Sequence, residues 1–526
     1  MLLRTLLFII MSVVAASAQT RQIYVTWAAS ASVGTADFTG YKVYRCNPSP
    51  CTPTVQIGTS TTNTYFDTGL ANSTSYVYTW SAYGPGGETP SGQTSTATTY
   101  GAPTTRNVTC SGDISSAVQT AANASADGDI VNIGAGSCTM SGLLIQDKAI
   151  TIQGQGQGVT NITGNIGTWV VNTSNAPTFR ITGFSLTDTG TPSSSLVLFG
   201  DQDASWRGPF RIDHVDFNYP NAGPDGIIQI YGPLFGLIDH CNFTQSFEAM
   251  ILTAPHLNTE GGSVTDLKGA FVATLPYQPG AGNYLYIEDS TFTANSASGA
   301  AAYDTGYSGG RLVFRHNTTS NSGLFAHWTS ANSINSMWWE VYNNTFSFSN
   351  ASPVEWMRME GGGSGIIYNN TTSGFVPNSM QLGDGRLESN SGAPLLLCDG
   401  THNWDGNAGD ASATGWPCLM QTGRDAGKTV AQIQAGNRQA NFPLYMWNNG
   451  PQAKCSNPAA AGAACDNTAG VTPNEAAWFK STPHTVSGGG YGQGDVDYCV
   501  NTSQPSGCGT HTLTYTPYTY PHPLNH

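Results

Sequence analysis

The sequence predicts an all-β chain: a right-handed parallel β-helix, preceded by an antiparallel β-sandwich and followed by a disulfide-stapled, loop-rich cap. Three observations carry this. A six-residue phrase returns as IDHVDF from Ile212, IDHCNF from Ile238, IEDSTF from Ile287, FRHNTT from Phe314, VYNNTF from Val341 and IYNNTT from Ile367, at offsets of 26, 49, 27, 27 and 26. Repetition at such a period marks a stacked architecture. The units are rich in Thr, Asn, Gly, β-branched and aromatic residues and lack a helical face, so each period is one coil of short strands and turns. Ahead of the repeats, four apolar-alternating runs between turn clusters (IYVTW, GYKVYRC, TYFDTGL, SYVYTWSAYGPGGET) fit about seven short strands in residues 20–100, a sandwich pattern.

The 526 residues carry a formal net charge of -14, with 10% charged residues and 62 glycines. Such a balance disfavours nucleic acid and anionic membranes, which select basic faces. Residues 1–18 read as a secretory signal: Arg4, the apolar LLFIIMSVV, then Ala16-Ser17-Ala18 before cleavage. That run is too short to span a bilayer, so a soluble, secreted protein is expected, extracellular or periplasmic, monomeric and without membrane insertion. Of eleven cysteines, spacing pairs Cys46–Cys51, Cys110–Cys138, Cys398–Cys418, Cys455–Cys465 and Cys499–Cys508. Cys241 is left over as a small buried thiol.

On the residues quoted, the front segment resembles a fibronectin type III domain. Trp27 stands as its core tryptophan, GYKVYR as its middle strand, and Leu70 with Tyr76 as its tyrosine corner. The resemblance implies a spacer or weak adhesion unit. Residues 101–390 form the predicted β-helix. Ile114–Asn123 is an amphipathic helix with Ile114, Ala117, Val118, Ala121 and Ala122 on one face, followed by D-G-D and strands ending in Gly154, Gly156 and Gly158. This order is similar to the capped first coil of pectate-lyase-like proteins, and something must cover the open end of a stack. The 49-residue step holds either a long excursion or a hidden coil. From residue 391 to 526 the period is lost, and a cap or side wall is expected.

Stacked coils bring equivalent residues into rows about 4.8 Å apart. The third position (His214, His240, Asp289, His316, Asn343, Asn369) is expected to carry a structural side-chain ladder at Asn343 and Asn369. The second position (Asp213, Asp239, Glu288, Arg315) faces outward by alternation. Its carboxylates would repel unless a cation bridges them, so Asp213, Asp239 and Glu288 are candidate calcium ligands, against a plain solvated face; calcium also accompanies the pectate-lyase-like resemblance. A second set lies between the phrases: Asp304, Arg311, His327 and Arg358 with Arg315 and His316 as candidate catalytic groups, and Tyr303, Tyr307, Trp328, Glu355 and Trp356 as candidate sugar-binding groups. Aromatic faces stack on sugar rings while charges act on the glycosidic bond or a uronate.

Two chemistries fit. β-Elimination needs a cation to neutralise the uronate and a base for the neighbouring proton. Hydrolysis needs two carboxylates about 5–9.5 Å apart, for which Asp304 with Glu355, or Asp213 with Asp239, are available. No run of closely spaced aspartates typical of the hydrolases of this fold is present. The expectation is therefore a secreted, polysaccharide-active enzyme, a lyase before a hydrolase, with a non-catalytic adhesion protein as the rival from another class.

Overall fold

The computed structural model describes residues 22–33, 37–171, 179–188, 195–200, 207–219, 226–232, 234–245, 248–254, 278–295, 299–304, 310–326, 338–348, 356–360, 363–374, 380–383, 423, 442–450, 454–455, 465–466, 479–481, 498–501, 503–509 and 511–525. Tyr303, Asp304, Arg358 and several other strand residues are placed by backbone register. Everything below concerns these residues.

The repeats wind into a parallel solenoid. One sheet of 20 strands carries two strands per coil, and a second sheet of 10 strands carries the third. Asp213 is in register with Asp239, Asp239 with Glu288, Glu288 with Arg315, and Arg315 with Tyr342. The expected rows are therefore real. The 49-residue step is one coil with a long excursion, because Leu234–Asp239 pairs directly with Leu285–Glu288 and Asn242–Gln245 with Thr291–Ala294.

Position one of each phrase points inward: Ile212, Ile238, Ile287, Phe314, Val341 and Ile367 are fully buried in one continuous interior cluster. Position six adds a stack of Phe217 on Phe243 (4.9 Å) and Phe243 on Phe292 (4.8 Å). Helix Ser115–Ala124 closes the first coil, with Ile114, Val118 and Ala122 in the same cluster; Ala117, expected on that face, is exposed. The cap is stapled by the Cys110–Cys138 disulfide.

The ladder does not stop where the period was lost. Leu444–Trp447 pairs with Ser364–Tyr368, and Tyr498–Asn501 pairs with Leu444–Trp447. The signal was Met446-Trp447-Asn448-Asn449, a degenerate copy of the phrase hidden by a long insertion. Cys46–Cys51 and Cys499–Cys508 are bonded as expected, and Cys455 faces Cys465 across a short antiparallel pair. Cys398 and Cys418 lie outside the described residues. Cys241 is the buried free thiol, and burial pushes it well above the usual thiol range.

The front of the chain is antiparallel. Gly40–Cys46, Val55–Ser60, Ser75–Gly84, Gly87–Pro90 and Ser95–Thr98 form one sheet, and Ile23–Thr26 pairs with Thr64–Asp67. Trp27, Tyr41, Leu70, Tyr76 and Trp80 share its core, and the Ala71 N–H donates to Tyr76 Oη at 2.9 Å.

Candidate functional site

The turn between the two strands of each coil is made by one residue in the left-handed region: His214 and His240 at φ 51°, Asp289 at 51°, His316 at 58°, Asn343 at 57°, Asn369 at 53° and Asn448 at 48°. Short polar side chains tolerate this backbone best, which explains the His/Asp/Asn composition of position three. A buried ladder lies one residue later. Asn317, Asn344, Asn370 and Asn449 are buried, each amide oxygen accepting the backbone N–H of the coil before it (Asn317 N to Asn344 Oδ1 2.9 Å, Asn344 N to Asn370 Oδ1 3.1 Å). Each Nδ2 donates to a buried main-chain carbonyl, such as Asn344 Nδ2 to Phe314 O at 2.9 Å. A side-chain ladder also runs at position three, as expected: Asn448 Nδ2 donates to Asn369 Oδ1 at 2.7 Å and Asn343 Nδ2 lies 3.3 Å from His316 Nε2, both exposed, whereas the buried ladder beside it was not expected.

Position two points away from the interior, as alternation requires, but not into solvent. Asp213, Asp239 and Glu288 are fully buried. Arg180 holds Asp213 through Nε and Nη2, both at 2.6 Å, and Arg211 holds Asp239 at 2.9 and 2.8 Å while its Nε lies 3.4 Å from Asp213. Arg315 Nε donates to Glu288 at 2.5 Å. The cation bridging the two aspartates is thus the Arg211 guanidinium. The donor set expected to face calcium faces arginine instead and does not fit a divalent ion: both aspartates are committed to bidentate guanidinium partners, and the Glu288 oxygens to Arg315 Nε and the His522 N–H. Among the described residues no group of three or more His, Cys, Asp or Glu is placed to hold a metal.

Burial raises the Asp213 carboxyl, but the Arg180 bonds and the Arg211 charge outweigh it, and the group sits below its usual value. Burial dominates at Glu288 and holds it above its usual value, opposed by Arg315 and by the His522 amide. The signal for this ladder was in the sequence but unread: Arg211-Ile212-Asp213 places arginine and acid on one strand face two residues apart.

Beside the ladder, His214 Nδ1 lies 2.8 Å from Asp213 Oδ2, and His240 Nδ1 lies 2.8 Å from Asp239 Oδ2. The two imidazoles stack with ring centres 5.0 Å apart and remain 50% and 41% exposed. His316, expected to be catalytic, is stacked under Tyr520 at 3.7 Å, and burial lowers its pKa.

The second sheet provides a different row. Leu144, Thr168, Val197, Gln229, Leu252, Tyr303, Phe325, Arg358, Gln381 and Lys480 are in continuous register. The neighbouring row, with Ile145, Trp169, Leu198, Ile230 and Ala326, is buried in the interior cluster; of the first row's described side chains Leu144 is exposed and Thr168 and Val197 are half-buried, whereas Gln229 and Phe325 are buried. Tyr303 and Arg358, expected at the site, fall in that first row. Asp304 is in register with Thr253 and Ala326, in the neighbouring row. Three expectations need correction. Arg311 is buried, its guanidinium 5.8 Å from the Tyr284 ring centre. Arg315 is fully buried, and so is Trp356, which packs on Phe346 at 5.1 Å within the interior cluster. Side chains next to Trp or Phe columns in a packed solenoid are filling volume, which composition alone did not distinguish from a sugar platform. Tyr307, His327, Trp328 and Glu355 lie outside the described residues.

No family model matches the sequence, and no curated protein is similar to it. Among solved structures the chain is similar to a family 28 exopolygalacturonase of Yersinia enterocolitica, with 13% identity, 71% of this chain and 88% of that chain covered, and a TM-score of 0.35. A likeness so slight carries no weight for activity.

Proposed function

We propose that this chain is a secreted, polysaccharide-active enzyme whose site lies along the Tyr303–Arg358 row of the second sheet. The observation that supports this is the register that strings Gln229, Tyr303, Arg358, Gln381 and Lys480 along one line of parallel strands. Repeats of about 4.8 Å suit an extended chain of sugars, each presenting its hydroxyls or carboxylate to a new rung. An aromatic ring, two cations and two amides in line can stack on, neutralise and orient a uronate-containing glycan. The reaction class we favour is β-elimination. Arg358 would neutralise the uronate carboxylate, acidifying the adjacent C5–H, and Tyr303, two rungs away, is the base available in the same row. The C–H electron pair forms the C4=C5 double bond as the C4–O bond breaks, and the departing glycosidic oxygen takes a proton from water, while Lys480 would hold a uronate further along the chain. Hydrolysis is the alternative chemistry. The antiparallel front unit is proposed to be fibronectin type III-like, and the chain to act as a monomer.

The test is a screen on uronate-containing polysaccharides, with and without a chelator. An ultraviolet-absorbing unsaturated end identifies a lyase, and reducing ends without it identify a hydrolase. Neither product across a broad panel favours an adhesion protein. Arg358→Lys and Tyr303→Phe are expected to lower turnover at least a hundredfold with the thermal transition unchanged. Full activity in both variants removes this row from the site.

A further inference from the structure

The outer face of the long sheet is covered by residues 513–525. Leu513–Asn525 does not join the strand ladder; it crosses the coils one after another. Tyr515 Oη donates to Glu340 Oε2 at 3.0 Å. One coil along, Arg315 donates to the carbonyls of Tyr518 (2.7 Å) and Thr519 (2.9 Å), and one coil further Tyr520 Oη donates to Asp289 at 2.7 Å. The His522 N–H then donates to Glu288 at 2.8 Å, and Arg211 Nη2 donates to Asn525 Oδ1 at 2.8 Å. Pro517 favours an extended backbone through Thr519, and the segment turns after His522, whose carbonyl accepts the Asn525 N–H at 2.7 Å. The strap therefore offers its carbonyls and N–H groups to the sheet, one coil per few residues.

The front unit meets the same surface. Tyr24 packs on Phe235 at 5.2 Å, and Phe66 packs on the His522 ring at 5.5 Å, which in turn lies 4.6 Å from Tyr286. Tyr24, Phe66, Tyr286, Tyr515 and Leu524 belong to one buried cluster, drawn from sandwich, solenoid and strap.

We propose that this face is a peptide-recognition groove for an extended tyrosine- and proline-rich segment, occupied in cis by residues 513–525, and that its occupant latches the sandwich onto the solenoid. Recognition is built from Arg315, Glu288, Glu340 and Arg211, which read main-chain and terminal polar atoms, and from the Tyr286–Tyr342 region, which takes the rings. The groove is distinct from the row proposed for glycan chemistry, so its test is independent of any activity.

The experiment uses the full chain with a site-specific protease sequence placed at 509–511, beyond Cys508. After cleavage the strap is expected to stay bound through gel filtration. A labelled synthetic peptide of residues 512–526 should then exchange with it saturably. The same peptide carrying Tyr518→Ala and His522→Ala should bind at least tenfold more weakly. A strap that leaves on cleavage, with neither peptide binding and the thermal transition unmoved, overturns the proposal. If the cleaved chain unfolds, the uncleaved Tyr518→Ala/His522→Ala variant decides. Amides of 513–525 must then exchange at least tenfold faster, and the sandwich must melt separately from the solenoid; a single unchanged transition sinks the latch.

Discussion

Asn343 and Asn344 are neighbours with opposite tasks. Asn343 takes the left-handed turn and is exposed, whereas Asn344 bonds Asn317, Phe314 and Asn370 inside the coil. Asn343→Gly should be nearly silent, because glycine accepts that backbone freely. Asn344→Ala leaves a buried N–H and a buried carbonyl without partners and should cost about 2–4 kcal/mol in denaturant unfolding, at 1–3 kcal/mol per orphaned group. Sequence reading found the exposed ladder at Asn343 and Asn369 and missed the buried one beside it, because Asn is favoured by both environments and only burial separates them. At Asp213 the chemistry is acid-sensitive. Its folded carboxyl is held below the usual value by Arg180 and Arg211 against the effect of burial, so its contribution is complete above the unfolded carboxylate range and disappears as pH falls through the folded value. Arg180→Leu removes both 2.6 Å bonds and should shift the acid-unfolding midpoint upward by about one pH unit, read by circular dichroism. An unmoved midpoint would mean that Arg211 alone holds the charge.

Elements whose partners are close in sequence were legible; those with distant partners were not. Helix Ser115–Ala124 announced itself by its apolar spacing, and the Cys110–Cys138 staple beside it by its position. Closing a loop with a sequence separation of 28 restricts the unfolded chain, and the Cys110→Ser/Cys138→Ser variant should lose about 3–4 kcal/mol by the chain-entropy relation. If the loss proves much smaller, the helix cap already orders that loop without the bond. By contrast, Tyr518 and Arg315 touch across 203 residues, and no periodicity links them. The strap's phrase Tyr-Thr-Pro-Tyr-Thr-Tyr-Pro reads as a loop because its regular partner is the solenoid face, not itself. The acid row was legible as a row, but its cover was not, so carboxylates expected in solvent are buried against arginine. Among the described residues of the expected site, Tyr303 and Arg358 share one row two coils apart, and Asp213, Asp239, Glu288 and Arg315 share another, through register that the coil spacing made readable.

The molecule as a whole is nearly one-dimensional: each coil rests on the two beside it, and interior columns run the length of the stack. Stability in such an array is close to a sum over neighbouring contacts rather than a single central core. Phe292 is a stringent place to probe this. It is fully buried, sits 4.8 Å from Phe243 below, and meets Thr319 rather than another phenylalanine in register above, with Phe314 leaning across at 5.4 Å. The coil it belongs to also carries the long excursion before Leu285. Truncation to alanine opens a void that rigid strands on both sides cannot close, so Phe292→Ala should cost about 3–5 kcal/mol. The pattern of the loss matters more than its size. If coupling runs only between neighbours, hydrogen exchange should quicken first in strands 242–245, 291–294 and 318–320, while strands near Ile152 and Val171 keep their protection. The strap spans the coils from Glu340 to Arg211 and should hold the two halves together through the weakened layer. Removing Tyr518 and His522 side chains in the same chain should therefore convert one transition into two. Uniform acceleration across every coil would instead show that the cylinder melts as one cooperative unit.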